Sequence, residues 1–209
     1  MNKIPTISII FVILISLSCL SFFSCKQILL MRYGIRQPKE ETPVTIMAFM
    51  DKMDYPNVST FIFKDSSSFY TCMKDSIFQR NTLGTLFFYR NRLLINYKDT
   101  SKCQWSGGYF VMNLRNDTIY QTDSTCLFQR LMTNFIPLNA TTKIDTAGAD
   151  YIVLVTWARF LGKYNERLFS IRKAMEENPG VNIKAVFVCI DVQKEWNLTD
   201  REKNALQFE

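Results

Sequence analysis

The chain has no histidine among its 209 residues. That absence excludes serine–histidine and cysteine–histidine nucleophile pairs and imidazole-bearing metal sites, all of which need a group that titrates near neutral pH. Carboxylates remain as cation ligands, but no Asp/Glu spacing gathers them into a site. None of the six cysteines stands in a Cys-x-x-Cys pair, so the usual dithiol redox motif is missing. Low-complexity tracts and internal repeats are absent too. The one double glycine, in Ser106-Gly107-Gly108, is too short for a phosphate loop.

What is present points to a folded protein. The chain is 47% hydrophobic with 17 phenylalanines, enough for a real core. Its length fits one domain or two small ones. The formal charge of +6 is spread along the chain, apart from Lys26, Arg32 and Arg36 just after the apolar N-terminus. Scattered charge marks a solvated surface, so no nucleic-acid partner is expected. Nothing in the sequence calls for a cofactor or a metal.

The N-terminus, MNKIPTISIIFVILISLSCLSFFSCKQ, has a short basic start and an apolar run from Ile4 to Phe23. Residues 1–24 therefore read as a signal peptide or a signal anchor of just sufficient length to span a bilayer. Ser24-Cys25 resembles the end of a bacterial lipoprotein signal, which implies lipidation at Cys25, although Phe22 and Phe23 depart from the usual pattern. Cys19 is a weaker candidate. Both readings imply a protein held at the membrane of a bacterial cell envelope, facing the periplasm or exterior. Residues 25–41, with Pro38, Glu40 and Glu41, read as a tether. Residues 42–209 read as a single α/β domain.

Within that domain Thr42-Pro43 starts a helix that Pro56 ends. Residues 57–65 read as a strand, and 66–78 as a helix capped by one of Ser66 to Ser68. Residues 84–99 read as a β-hairpin turning at Asn91-Arg92. Tyr109–Leu114 fits a strand or a helical turn. Residues 124–138 read as an amphipathic helix, since Leu127, Phe128, Leu131, Met132 and Phe135 recur at helical intervals. DYIVLVTWARF (150–160) is a β-branched run of the kind buried on both faces. A helix over 162–180 and a second buried strand over 182–192 follow, which implies a parallel pair with a right-handed crossover. A short helix near 198–207 closes the chain. Cys72, Cys103, Cys126 and Cys189 allow three pairings, and Cys189 sits in an apolar run that suggests burial.

The first turn of this βαβ unit resembles the thioredoxin pattern, a buried strand running into Trp-Ala-x-Trp-Cys-Gly-Pro-Cys and a helix. Trp157, Ala158 and Gly162 stand at its Trp, Ala and Gly, and Phe160 at its aromatic position. Leu161 and Tyr164 stand where it has the two cysteines. Asp191, Lys194 and Trp196 fit the end of the second strand in TlpA-type thioredoxin-like proteins. The resemblance covers residues 150–197. It implies an α/β, thioredoxin-like three-layer sandwich. In that fold a hairpin opened by a cis-proline and a final helix follow the unit. The 18 residues after Asp191 cannot supply them, so the sheet is expected to be incomplete or permuted, with segments 57–99 beside the two strands and Gly84 near the place of the proline.

Thiol–disulfide exchange needs an activated thiolate and a resolving thiol. Leu161 and Tyr164 offer neither, so the resemblance implies a redox-inactive domain and points away from an enzyme. Two roles remain for the turn. Its residues pack beneath it, or Trp157, Phe160, Leu161 and Tyr164 form an apolar contact surface for an unknown envelope protein or peptide. Asp191, at the carboxyl edge of the sheet, is a further candidate. Two alternatives stand beside this reading: an oxidoreductase using the non-motif cysteines, and a plain α+β lipoprotein in which strands 151 and 183 are not parallel neighbours. Short triplets such as Asp123-Ser124-Thr125 also resemble O-glycosylation acceptors of envelope proteins.

Overall fold

The computed structural model describes residues 30–55, 58–75, 78, 84–95, 107–115, 121–139 and 146–205. Lipidation at Cys25, the signal segment and Cys103 lie outside them. The strands are β1 (Thr60–Phe63), β2 (Thr85–Tyr89), β3 (Arg92–Leu94), β4 (Thr122–Leu127), β5 (Phe135–Pro137), β6 (Tyr151–Trp157) and β7 (Ile183–Cys189). The helices are α1 (Pro43–Lys52), α2 (Ser66–Lys74), α3 (Gly107–Asn113), α4 (Phe128–Met132), α5 (Tyr164–Phe169), α6 (Ile171–Glu176) and α7 (Asp200–Ala205).

The strands form one mixed sheet in the order β4-β3-β2-β6-β7-β1-β5. β6 and β7 are parallel neighbours, in register from Tyr151–Ile183 to Trp157–Cys189. All seven residues of β6 are buried. Successive side chains alternate between faces, so the sheet is covered on both. β1 lies parallel to β7, and β2 lies antiparallel to β6. Segments from the first half of the chain thus complete the sheet on either side of the βαβ unit, and the 85–94 hairpin is part of it. A plain arrangement in which strands 151 and 183 are apart is not what forms.

Several local expectations shift. The hairpin turns at Arg90-Asn91, both with positive φ (45° and 73°), because a two-residue primed turn matches the twist of the strands. Asn91 Oδ1 then accepts from Gln129 N at 2.9 Å. Asp65, not a serine, caps α2 by accepting from Ser68 N at 2.7 Å. Residues 107–113 are helical despite the double glycine. A Cβ on Gly107 would stand 2.8 Å from Thr85, so the glycine permits α3 to approach β2. The helix expected over 124–138 is limited to α4. Its flanks pair with the sheet edges, β4 on β3 and β5 on β1, and that pairing overrides a helical periodicity. The crossover helix is two short helices meeting at Ser170, whose hydroxyl donates to Arg167 O at 2.7 Å and competes with the helical ladder.

Candidate functional site at the end of the parallel strands

Trp157 and Cys189 are the last residues of β6 and β7 and face each other in register. Beyond β6 the chain makes a 3-10 turn over Arg159–Leu161 and enters α5. Gly162 sits in this turn at φ 54°, where a side chain would collide with the carbonyls of Tyr33 and Gly34. Asn165 is buried behind it. Its amide donates to Ala158 O at 2.7 Å and its carbonyl accepts from Ala158 N, which ties the turn to α5.

Residues 33–41, read from composition as part of the tether, lie against this turn. Lys163 N donates to Tyr33 O and Arg36 N to Phe160 O, each at 2.8 Å. Glu41 forms a parallel bridge with Gln193, with Glu41 N donating to Val192 O and Lys194 N to Glu41 O, both at 2.8 Å. Tyr33 meets Tyr164 edge to face at 5.5 Å. This is the main departure from the expected domain boundary. A segment rich in Pro and Glu docks because its backbone groups find partners at the sheet end, which composition does not reveal.

Below residues 33–41, which form a strap across the turn, lies a buried polar cluster. Asp191 is 1% exposed. Its Oδ2 accepts from Arg159 N at 2.7 Å and from the Cys189 thiol at 3.2 Å. Burial pushes its carboxyl up to about 6, and the nearby Glu41 charge adds to this, while the two hydrogen bonds and the Arg159 charge oppose it. The Arg159 guanidinium pairs with Glu41, which also accepts from Thr45 Oγ1 at 2.7 Å. Gln193 donates to Asp191 O at 2.8 Å. Trp157 Nε1, Arg159 Nε, Asp191 Oδ1 and Gln193 Oε1 are buried with no hydrogen-bond partner among the described residues. Buried orphans of this kind are uncommon, and their gathering at one sheet end marks the place.

Above the cluster, an open cleft of about 790 Å³ runs between the strap, α1 and the turn. That volume is within the range of ligand pockets. Phe49, Met53 and Phe160 give it an apolar wall. Arg36, Lys39, Lys52 and Lys163 stand exposed around it.

The residues singled out in the sequence are thus brought together, with most of them inside. Trp157 is fully buried, stacked on Phe49 at 5.9 Å and edge-on to Phe169 at 5.4 Å. Phe160 and Leu161 are also buried, at 9% and 2% exposure. Only Tyr164 of the four is half-buried, so they pack beneath the turn and do not present an apolar patch. Asp191 belongs to the cluster. Sequence reasoning missed Glu41, Arg159 and Gln193. The one available signal was Gly162, a glycine at a turn that needs room for another backbone.

The described thiols are poor nucleophiles. Burial raises Cys72 to about 12, with Asp75 adding to it, and Cys126 to about 11. Cys189 is raised well above its ordinary value by burial and then by Asp191. No disulfide joins these three cysteines. No group of three or more potential metal ligands occurs among the described residues, and no described helix is long and apolar enough to cross a membrane. No family model, curated protein or solved structure matches this chain.

Proposed function

We propose that this is a membrane-anchored envelope protein whose thioredoxin-like domain carries no redox chemistry and serves as a binding or structural module. The observation that supports this most is the state of the turn after β6. Where the thioredoxin pattern has its nucleophilic cysteine, Leu161 is buried, and residues 33–41 lie over the turn. A thiol–disulfide site must be open to a second disulfide, and this one is filled and covered. The neighbours of β6 and β7 favour a permuted thioredoxin-like sheet. The hairpin precedes the βαβ unit in sequence yet pairs beside it, and Gly84 meets Thr156 at the hairpin's start, with Gly84 N donating to Thr156 Oγ1 at 3.0 Å.

Differential alkylation with peptide mass spectrometry tests the proposal on protein taken from its own membrane. Cys25 is expected to be acylated, and no cysteine pair is expected to titrate reversibly across a series of redox buffers. A pair that does so near the potentials of known oxidoreductases would replace this reading with a redox one.

A further inference from the structure

We propose that the cleft between the 33–41 strap, α1 and the 159–166 turn is an anion site that takes the phosphorylated headgroup of an acidic membrane lipid. The inference rests on the anchoring proposed above and concerns what the anchored domain holds.

Charge is the first support. Arg36, Lys39, Lys52 and Lys163 line the cleft, all exposed, and none forms an ion pair among the described residues. Glu41 is already committed to Arg159. That leaves Glu166 as the single unneutralised acid on the lining. Residues 1–29 contain no Asp or Glu that could answer these cations. Four cations facing one acid across an apolar-walled cleft fit an anion joined to an apolar body, which is the chemistry of a phospholipid at its headgroup.

Reach is the second. Both anchoring readings put the membrane exit near residues 24–25, and the strap is docked on the domain from Tyr33 onward. Five peptide steps separate Cys25 from Leu30, a span of at most about 18 Å. The docked strap therefore cannot lift the domain away. Tyr33 and Gly34, which follow within a few residues of Leu30, line the cleft and so keep it within short reach of the bilayer. Met31, 66% exposed, and the exposed Arg32 stand on the same approach. Cations close to an acidic bilayer each strengthen association by about fivefold.

The test uses the full chain held in nanodiscs, read by hydrogen–deuterium exchange in peptides covering 33–41 and 159–166. Discs of phosphatidylcholine alone are compared with discs containing phosphatidylglycerol. The proposal expects exchange in both peptides to slow by about fivefold or more with phosphatidylglycerol, and expects a K52Q/K163Q double variant to lose that slowing. Both lysines are exposed, so the variant keeps its fold, which unchanged exchange in β6 and β7 verifies. Equal slowing in neutral discs with added glycerol phosphate would overturn the lipid in favour of a soluble phosphate compound. No slowing with either anion would overturn the site itself. Recovery of the chain in the soluble fraction, before any disc is made, would overturn the anchoring and the lipid proposal with it. A disc-held chain without slowing would leave the anchoring intact.

Discussion

The floor and the cover of the cleft are built on opposite principles. The floor is the β6–β7 end: Trp157, Cys189 and Asp191 are buried at 1% exposure or less, with Trp157 and Cys189 paired across the ladder, Cys189 also paired to β1, and Asp191 held by Arg159 N. The cover is a largely exposed strap held to the turn and beside Gln193 by a few backbone hydrogen bonds, supported by the Glu41–Arg159 pair, by Tyr33 on Tyr164 and by the Lys203–Glu40 pair at 3.1 Å. Damage to the floor should unfold the protein, whereas damage to the cover should change what the cleft can hold.

Trp157→Ala should have the largest effect. It empties the space between Phe49 and Phe169 and should cost about 3–5 kcal/mol of stability by denaturant unfolding. A loss under about 1 kcal/mol would mean that the floor is less tightly packed than described.

Next comes pH. Below about pH 4 the Asp191 carboxyl is neutral in both folded and unfolded chains. Between about 4 and 6 the folded protein keeps a proton that the unfolded chain releases, so stability falls as pH rises through the folded value of about 6 and is level above it. The full effect is about 3 kcal/mol. Asp191→Asn keeps an acceptor for Arg159 N and should abolish this part of the slope. The difference between the two unfolding curves isolates it from the other carboxylates. A parallel pair of curves would remove Asp191 from the titrating groups.

Gly162→Ala should have the smallest effect on stability, about 1–2 kcal/mol, because it strains a positive φ and pushes against the strap. Its signature should be local. Proteolysis and amide exchange should accelerate over 33–41 while β6 and β7 stay protected. Uniform acceleration would mean that strap and sheet form a single cooperative unit.

The same contrast explains what the sequence made legible. β6, β7 and the hairpin strands announce themselves through β-branched and aromatic runs, because burial on both faces demands such residues. Thr42 and Pro43 announced α1, where Thr42 accepts from Thr45 N. The edge strands were hidden. Leu127, Phe128, Leu131 and Phe135 have helical spacing, and only the partners β3 and β1 decide that residues 122–127 and 135–137 extend. The turn residues were found, but their direction was not, since an aromatic at the end of a strand reads alike whether it points in or out. The Glu41–Arg159 pair joins residues 118 apart in sequence, a distance over which no local pattern carries information.

The strand order has a consequence in time. β1 occupies the middle of the sheet's second half, yet its parallel partner β7 comes more than a hundred residues later, and β2 waits for β6. A chain made from its N-terminus therefore carries β1, with Phe61 and Phe63, without its parallel partner through most of its synthesis, although its antiparallel partner β5 arrives sooner. Closing so long a loop is slow, and the edge of β1 that takes β7 stays open until that last strand arrives. This topology places the pairing of β1 with β7 among the last long-range contacts that the chain can make.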